Sequence, residues 1–322
     1  MRALFLILAL LVGLQPAAAQ QSRGVPPAAR EAIGEAGRLL TAIRGSNIDG
    51  HWRANALARM ARVMARAGDA EAAKTMARDA ATATFEPVRQ APPPVVAPGA
   101  VMAILAQVYS DLRDVAPTME LANTALPQIR TLPPAAQAPL LPFLAIALVD
   151  VGARQAAEQV IREGLAAAIQ APAGQEQAVA LALIAQAQAR TGEAGAADAT
   201  VDAAVAALQQ ITSAHGQAAG YAQVARALAA AGRRERGRAL SREAAAAFDR
   251  STRQIEIPPF QRVGTLTLIA LSQAETGDRG AARQTLQAAR SLAFAIPVQQ
   301  LYERFSAMAA LADAIIQVER AP

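Results

Sequence analysis

One small residue returns at a fixed place in six successive copies of a two-helix pattern, and few folds are open to a chain built that way. Five stretches share a glycine: Ala67-Gly68-Asp69, Val151-Gly152-Ala153, Thr191-Gly192-Glu193, Ala231-Gly232-Arg233 and Thr276-Gly277-Asp278. A sixth copy carries Arg113-Asp114 in place of the glycine-containing pair, and successive turns fall 39 to 45 residues apart. Seven residues ahead of each turn stands an alanine: Ala61, Ala106, Ala145, Ala185, Ala225 and Ala270. Alanine makes up roughly a quarter of the chain, so six hits in six copies is roughly a one-in-a-few-thousand coincidence. A large apolar residue directly precedes it each time (Met60, Leu105, Leu144, Ile184, Val224, Ile269). Another stands three residues earlier (Leu57, Met102, Leu141, Leu181, Tyr221, Leu266). The spacing i, i+3, i+4 is one face of an α-helix.

A second helix follows each turn. Five residues on come Ala73, Thr118, Ala157, Ala197, Gly237 and Ala282, and seven further Ala80, Ala125, Gly164, Ala204, Ala244 and Ala289. Small residues two turns apart let this helix lie close to the alanine of the first. Glycine at the turn suits a left-handed helix end, and a following Asp or Glu suits the cap of the next helix.

Large apolar then small on the first helix, glycine at the turn, and small residues seven apart on the second: in these residues the chain resembles the tetratricopeptide-like family of helical hairpin repeats. The resemblance covers residues 52 to about 290. It departs from the family in its longer period and in placing Leu, Met or Gln where aromatics are usual, so other αα-solenoid types stay open. It implies an all-α, right-handed αα-solenoid of about six helical hairpins, with a protein or peptide partner bound on the concave side. The expected organisation is a repeat region over 52–297 behind an N-terminal segment, 20–51, with a leading helix over Ala28 to Ile43. A C-terminal capping helix over Leu301 to Val318 lies within 298–322; there Phe305, Met308 and Ala309 repeat the first-helix pattern. Terminal helices cap arrays of this kind, whose outer repeats would otherwise expose apolar faces. Prolines between hairpins (Pro87, Pro92 to Pro94, Pro98, Pro133-Pro134, Pro172, Pro258-Pro259, Pro297) stop second helices and stiffen the connections.

The start of the chain reads as an export signal. Met1-Arg2 precedes an almost unbroken apolar run from Ala3 to Leu14, then Gln15-Pro16 and Ala17-Ala18-Ala19, predicting a signal peptide over residues 1–19 cut before Gln20. The run is short of the ~20 residues needed to span a bilayer, and no transmembrane segment is expected after cleavage. Lys74 is the only lysine among 31 basic residues. Heavy Ala and Arg usage of this kind fits a GC-rich bacterial genome, and export from such a cell predicts the periplasm.

Chemistry is sparse. There is no cysteine and there are only two histidines, His51 and His215, so thiolate catalysis and multi-histidine metal sites drop out and neither metal nor cofactor is expected. No nucleophile elbow, zinc, phosphate-loop or dinucleotide motif is present. Asp111, Asp114 and Asp150 sit near turns and read as solvated end groups. Arg233, Arg234, Arg236 and Arg238 crowd the fifth turn around Glu235 and read as a solvated, partly self-paired face. Contact with anionic envelope polymers is their alternative, and export argues against nucleic acid. The residue after each recurring alanine is expected on the inner face, where Arg62, Arg66, Gln107, Gln186, Arg190 and Arg226 would line a groove. Such a row suits carboxylates and backbone amides. The function expected is a non-enzymatic envelope scaffold for protein or peptide partners; an envelope enzyme or enzyme accessory acting on peptidoglycan is the alternative.

Overall fold

A computed structural model describes residues 24–45, 50–84, 98–254 and 257–321. The export signal over 1–19, the side chain of His51, Pro87 and the Pro92 to Pro94 run lie outside them. Every regular element among the described residues is a helix. A lone helix, α1 (Pro27–Gly45), comes first. Six hairpins follow: α2 (Gly50–Ala67) with α3 (Ala70–Thr84), α4 (Pro98–Asp111) with α5 (Val115–Arg130), and α7 (Leu141–Asp150) with α8 (Arg154–Gln170). Next come α9 (Gln175–Thr191) with α10 (Ala194–Leu208), α11 (Ala214–Ala230) with α12 (Arg234–Gln254), and α13 (Pro259–Glu275) with α14 (Arg279–Ala295). The one-turn helix α6 (Pro134–Gln137) fills the connection before α7, and α15 (Leu301–Arg320) ends the chain. The chain is an all-α solenoid of helical hairpins.

The turns work as their residues require. Gly68, Gly152, Gly192, Gly232 and Gly277 all have positive φ, between 77° and 94°, a region that costs glycine nothing. Arg113 takes the same conformation (φ 59°) in the copy without glycine, so the hairpin geometry is held there against the preference of the side chain. Asp69 and Asp278 cap the second helices, their carboxylates accepting from the amides of Ala72 and Ala281 at 3.1 and 3.0 Å. Asp114 and Glu193 make no such bond.

Close packing follows the small-residue columns. The six alanines of the first-helix column are fully buried, as are Ala73, Ala157, Ala197 and Ala282 on the second helices. At Gly237 a Cβ would stand 2.9 Å from both the carbonyl oxygen of Ala225, in the first-helix column, and Cγ2 of Thr276. The backbone carbonyl cannot swing aside as a side chain would. Gly237→Val should therefore lower unfolding free energy by ~1–3 kcal/mol in urea titration, while valine at the exposed Gly280 should leave it nearly unchanged.

The two ends of the chain do not cap separately; each caps the other. α15 packs along α1 and also against α2, α13 and α14. Its register is that of a first helix, with Phe305, Met308 and Ala309 buried as the columns require. α1 supplies Ala29 and Ala36, seven apart and fully buried, as a second helix does. Together they form a seventh hairpin whose strands of sequence come from opposite termini. First helices α2, α4, α7, α9, α11, α13 and α15 then pack neighbour to neighbour and back to α2, closing an inner ring, with the second helices outside. Ion pairs stitch the seam. Arg304 donates to Glu35 at 2.9 Å, Arg38 pairs with the same carboxylate, and Arg290 reaches Glu31 at 2.6 Å.

Candidate functional site: the lumen of the ring

The concave surface expected as an open groove is therefore the wall of a lumen. All seven inner helices contribute to a cavity of about 730 Å³, within the size range of small-ligand sites. Arg62, Arg66, Gln107, Gln186, Arg190 and Arg226 all line it. Their helices bring them there through one rule. Each stands one or five residues after the buried alanine, which turns it by about 100° per residue from the packed face toward the ring axis.

The four arginines are already engaged. Arg66 donates to Asp111 at 2.9 Å and to both oxygens of Asp313 at 2.8 and 2.9 Å, so one side chain ties α4, α2 and α15 together. Arg62 shares Asp111, through its Nε at 3.2 Å. Arg190 holds Asp150 with two bonds, 2.8 and 3.0 Å, and Arg226 forks onto Glu275 at 2.9 and 3.1 Å. Gln107 donates to the backbone carbonyl of Phe143 at 3.1 Å. Asp111 and Asp150, read from the sequence as solvated end groups, are thus members of a carboxylate–guanidinium belt around the C-terminal ends of the inner helices. Their columns carried the signal: Arg66 and Asp111 occupy the same column in adjacent hairpins, as do Asp150 and Arg190, with opposite charges. Asp313 was out of reach of that comparison because it stands four residues after Ala309, one position off the column, which Ala314 occupies in α15.

Charge within the belt is not evenly shared. Burial, and then the positive charge of Arg66, push the Arg62 guanidinium down to about 10, which leaves it charged at neutral pH. Arg66 moves up, because Asp313 and Asp111 outweigh the burial that opposes them. Arg59, one turn before Arg62, lines the same lumen with no carboxylate partner. Two residues of the wall also carry buried polar atoms without partners: Nε2 of Gln223, a residue only 4% exposed, and Oδ1 of Asn55. Trp52 and Tyr302 meet edge to face, ring centroids 4.7 Å apart, where α2 and α15 line the lumen near their N-terminal ends. Sequence reading missed Arg59, Gln223 and this aromatic pair, since each lies outside the two columns that the repeat made comparable.

The basic fifth turn is largely neutralised, with Arg233 on Asp198 and Arg236 on Asp202, and Arg238 donating to the carbonyl of Thr276 at 2.9 Å. His215 is half-buried; its Nε2 lies 3.4 Å from the Thr265 hydroxyl and its Nδ1 has no partner. Burial lowers its pKa from 6.5. The folded state therefore binds its proton less readily than the unfolded chain does, and stability should fall as pH drops below about 6.5. His215→Asn should flatten that part of a pH-dependent melting curve. Among the described residues no group of three or more His, Asp or Glu side chains is placed to hold a metal, and no helix is long and apolar enough to cross a membrane.

No family model matches the chain, and no curated protein matches it. Among solved structures, it is similar to nearly identical TPR-like repeats from a Podosopora anserina protein described as a kinesin light chain. Identity there is 20%, the match covers 59% of this chain and 92% of the other, and the TM-score is 0.38.

Proposed function

We propose that this chain is a non-enzymatic scaffold whose protein or peptide partner places a segment in the lumen of the ring. The observation that carries the reading is the set of buried, partnerless polar atoms on residues of the lumen wall, above all Nε2 of Gln223. A buried donor left unpaired costs ~1–3 kcal/mol, and native proteins keep such groups chiefly where a ligand or water completes them. Backbone amides and carbonyls of a bound segment are suitable completions. Among the described residues no acid–base or nucleophilic constellation lines the cavity, and its carboxylates Asp111, Asp150 and Asp313 are each bound by an arginine. A photo-crosslinking residue in place of Gln223 should capture a defined partner in cells, while the same residue at exposed Arg242 should not. Filling the lumen with Leu183→Trp should abolish the capture. Equal capture at both positions, or turnover of cell-wall substrate by the purified chain, would overturn the reading.

Export to the periplasm is part of the same proposal. It is supported by the Met1-Arg2 start, the Ala3 to Leu14 apolar run and the small residues Ala17 to Ala19. N-terminal sequencing of protein recovered from the envelope fraction should read from Gln20. Material that keeps Met1 and stays in the cytoplasm would sink it.

A further inference from the structure

On one side the lumen deepens into a pocket of about 280 Å³, and its wall divides cleanly by chemistry. Ile104, Phe143, Ala309 and Ala310 make an apolar side, and Arg59, Arg62 and Gln107 a donor-rich one, with Asp313 also on the wall. Arg62 gives only its Nε to Asp111, so both terminal amino groups are unengaged. Arg59 has no carboxylate partner at all. Near this end of the belt three guanidiniums, Arg59, Arg62 and Arg66, face two carboxylates, Asp111 and Asp313, and both carboxylates are bound by Arg66. One positive charge is left over: Arg59 is exposed to solvent, beside an Arg62 side chain only 25% exposed.

We infer that this pocket binds a small amphipathic acid, a single carboxylate held by Arg59 and Arg62 with its hydrocarbon body against Ile104, Phe143, Ala309 and Ala310. A single negative charge matches the surplus. A second would meet Asp313, which Arg66 and Gln317 fix in place at 2.8 and 2.9 Å. A wholly polar anion would leave the apolar wall uncovered, and an uncharged lipid would leave the Arg59 guanidinium and the terminal amino groups of Arg62 without an acceptor. The inference rests on the lumen being a ligand site and goes beyond it in naming an occupant.

Calorimetric titration of the full chain with octanoate tests it. Octanoate should bind saturably, octanol and acetate each at least about ten-fold more weakly, since each lacks one half of the match. Arg59→Gln should weaken octanoate by about ten-fold without a change in melting temperature, because Arg59 holds no other group. Ile104→Trp should block octanoate while keeping both arginines. Equal binding of octanoate and octanol, or indifference to Arg59→Gln, would overturn the inference. So would tighter binding of a short peptide with a free C-terminal leucine, in competition with octanoate. If octanoate fails while crosslinking from position 223 still captures a partner, the small-acid assignment falls and the lumen reading stands.

Discussion

A chain ending at residue 300, without α15, is expected to lose cooperative unfolding altogether. Phe305, Met308, Leu311, Ile316 and Val318 are all at most 2% exposed. Their burial is worth together on the order of 10 kcal/mol, at ~1.5–3 kcal/mol each, comparable with the ~5–15 kcal/mol that holds a whole domain. Removing them also strips cover from Ala29, Ala36, Leu40 and Ile43 on α1, and opens the contact of α13 and α2 with their neighbour. An open solenoid would respond differently, since loss of a terminal cap there removes one nearest-neighbour interface and leaves the other repeats folded. Calorimetry of the truncated chain separates the two. A sharp transition close to that of the full chain would show that the ring does not depend on its seam.

Acid should loosen the same seam by a route that can be isolated. Arg38, and then Arg304, hold the Glu35 carboxyl below its usual value against the burial that raises it. A carboxylate whose pKa is lowered on folding contributes stability above its unfolded value, about 4.5, and loses it as pH falls through the folded one. Glu35→Gln should therefore destabilise the ring at neutral pH and cost little in strong acid. Melting temperatures of the two chains should converge as pH falls below about 4.5.

The hairpins were legible because each of their requirements is local. A left-handed turn, a small residue at a close backbone contact and a large one at the core each leave a mark at a fixed offset, and six copies made the offsets visible. Even Arg113, a non-glycine at a left-handed position, could be placed by its neighbours. Closure was not legible in the same way. Nothing local to α1 or α15 says that residues some 270 positions apart pair; that depends on how much each hairpin rotates against the next, summed over six steps. A trace was present all the same, because α15 has only the first-helix pattern and α1 carries alanines seven apart. A solenoid that begins with a second helix and ends with a first has the parts of one more hairpin. The inner row was placed on the correct face, but its electrostatics were not read, because Arg62, Arg66, Arg190 and Arg226 were weighed one column at a time. Salt bridges across a ring belong to pairs of adjacent repeats, and only a comparison between neighbours exposes the opposite charges that meet there.

Holding two carboxylates on two other helices makes Arg66 the most consequential side chain on the lumen wall, and its loss is the second large effect expected. Arg66 is 16% exposed and its partners Asp111 and Asp313 are 18% and 24% exposed, so the triad is shielded but not dry. Breaking a fully buried pair by removing one partner costs ~3–5 kcal/mol; with water at its edge, Arg66→Ala should cost ~2–4 kcal/mol. Most of that is the penalty of leaving two carboxylates facing each other, with Arg62 alone to offset them. Arg66→Met together with Asp313→Leu should therefore be more stable than Arg66→Met alone, even though it removes one more ionic group, since the remaining Asp111 keeps Arg62. Chemical denaturation of the three variants measures this directly. If the double variant is less stable than the single one by the full cost of Asp313→Leu made alone, Arg66 is acting through its aliphatic stem and the charge belt contributes little. If the double variant recovers, the belt sets the geometry of the ring seam, and the positive charge left at Arg59 and Arg62 is a consequence of how that seam is tied.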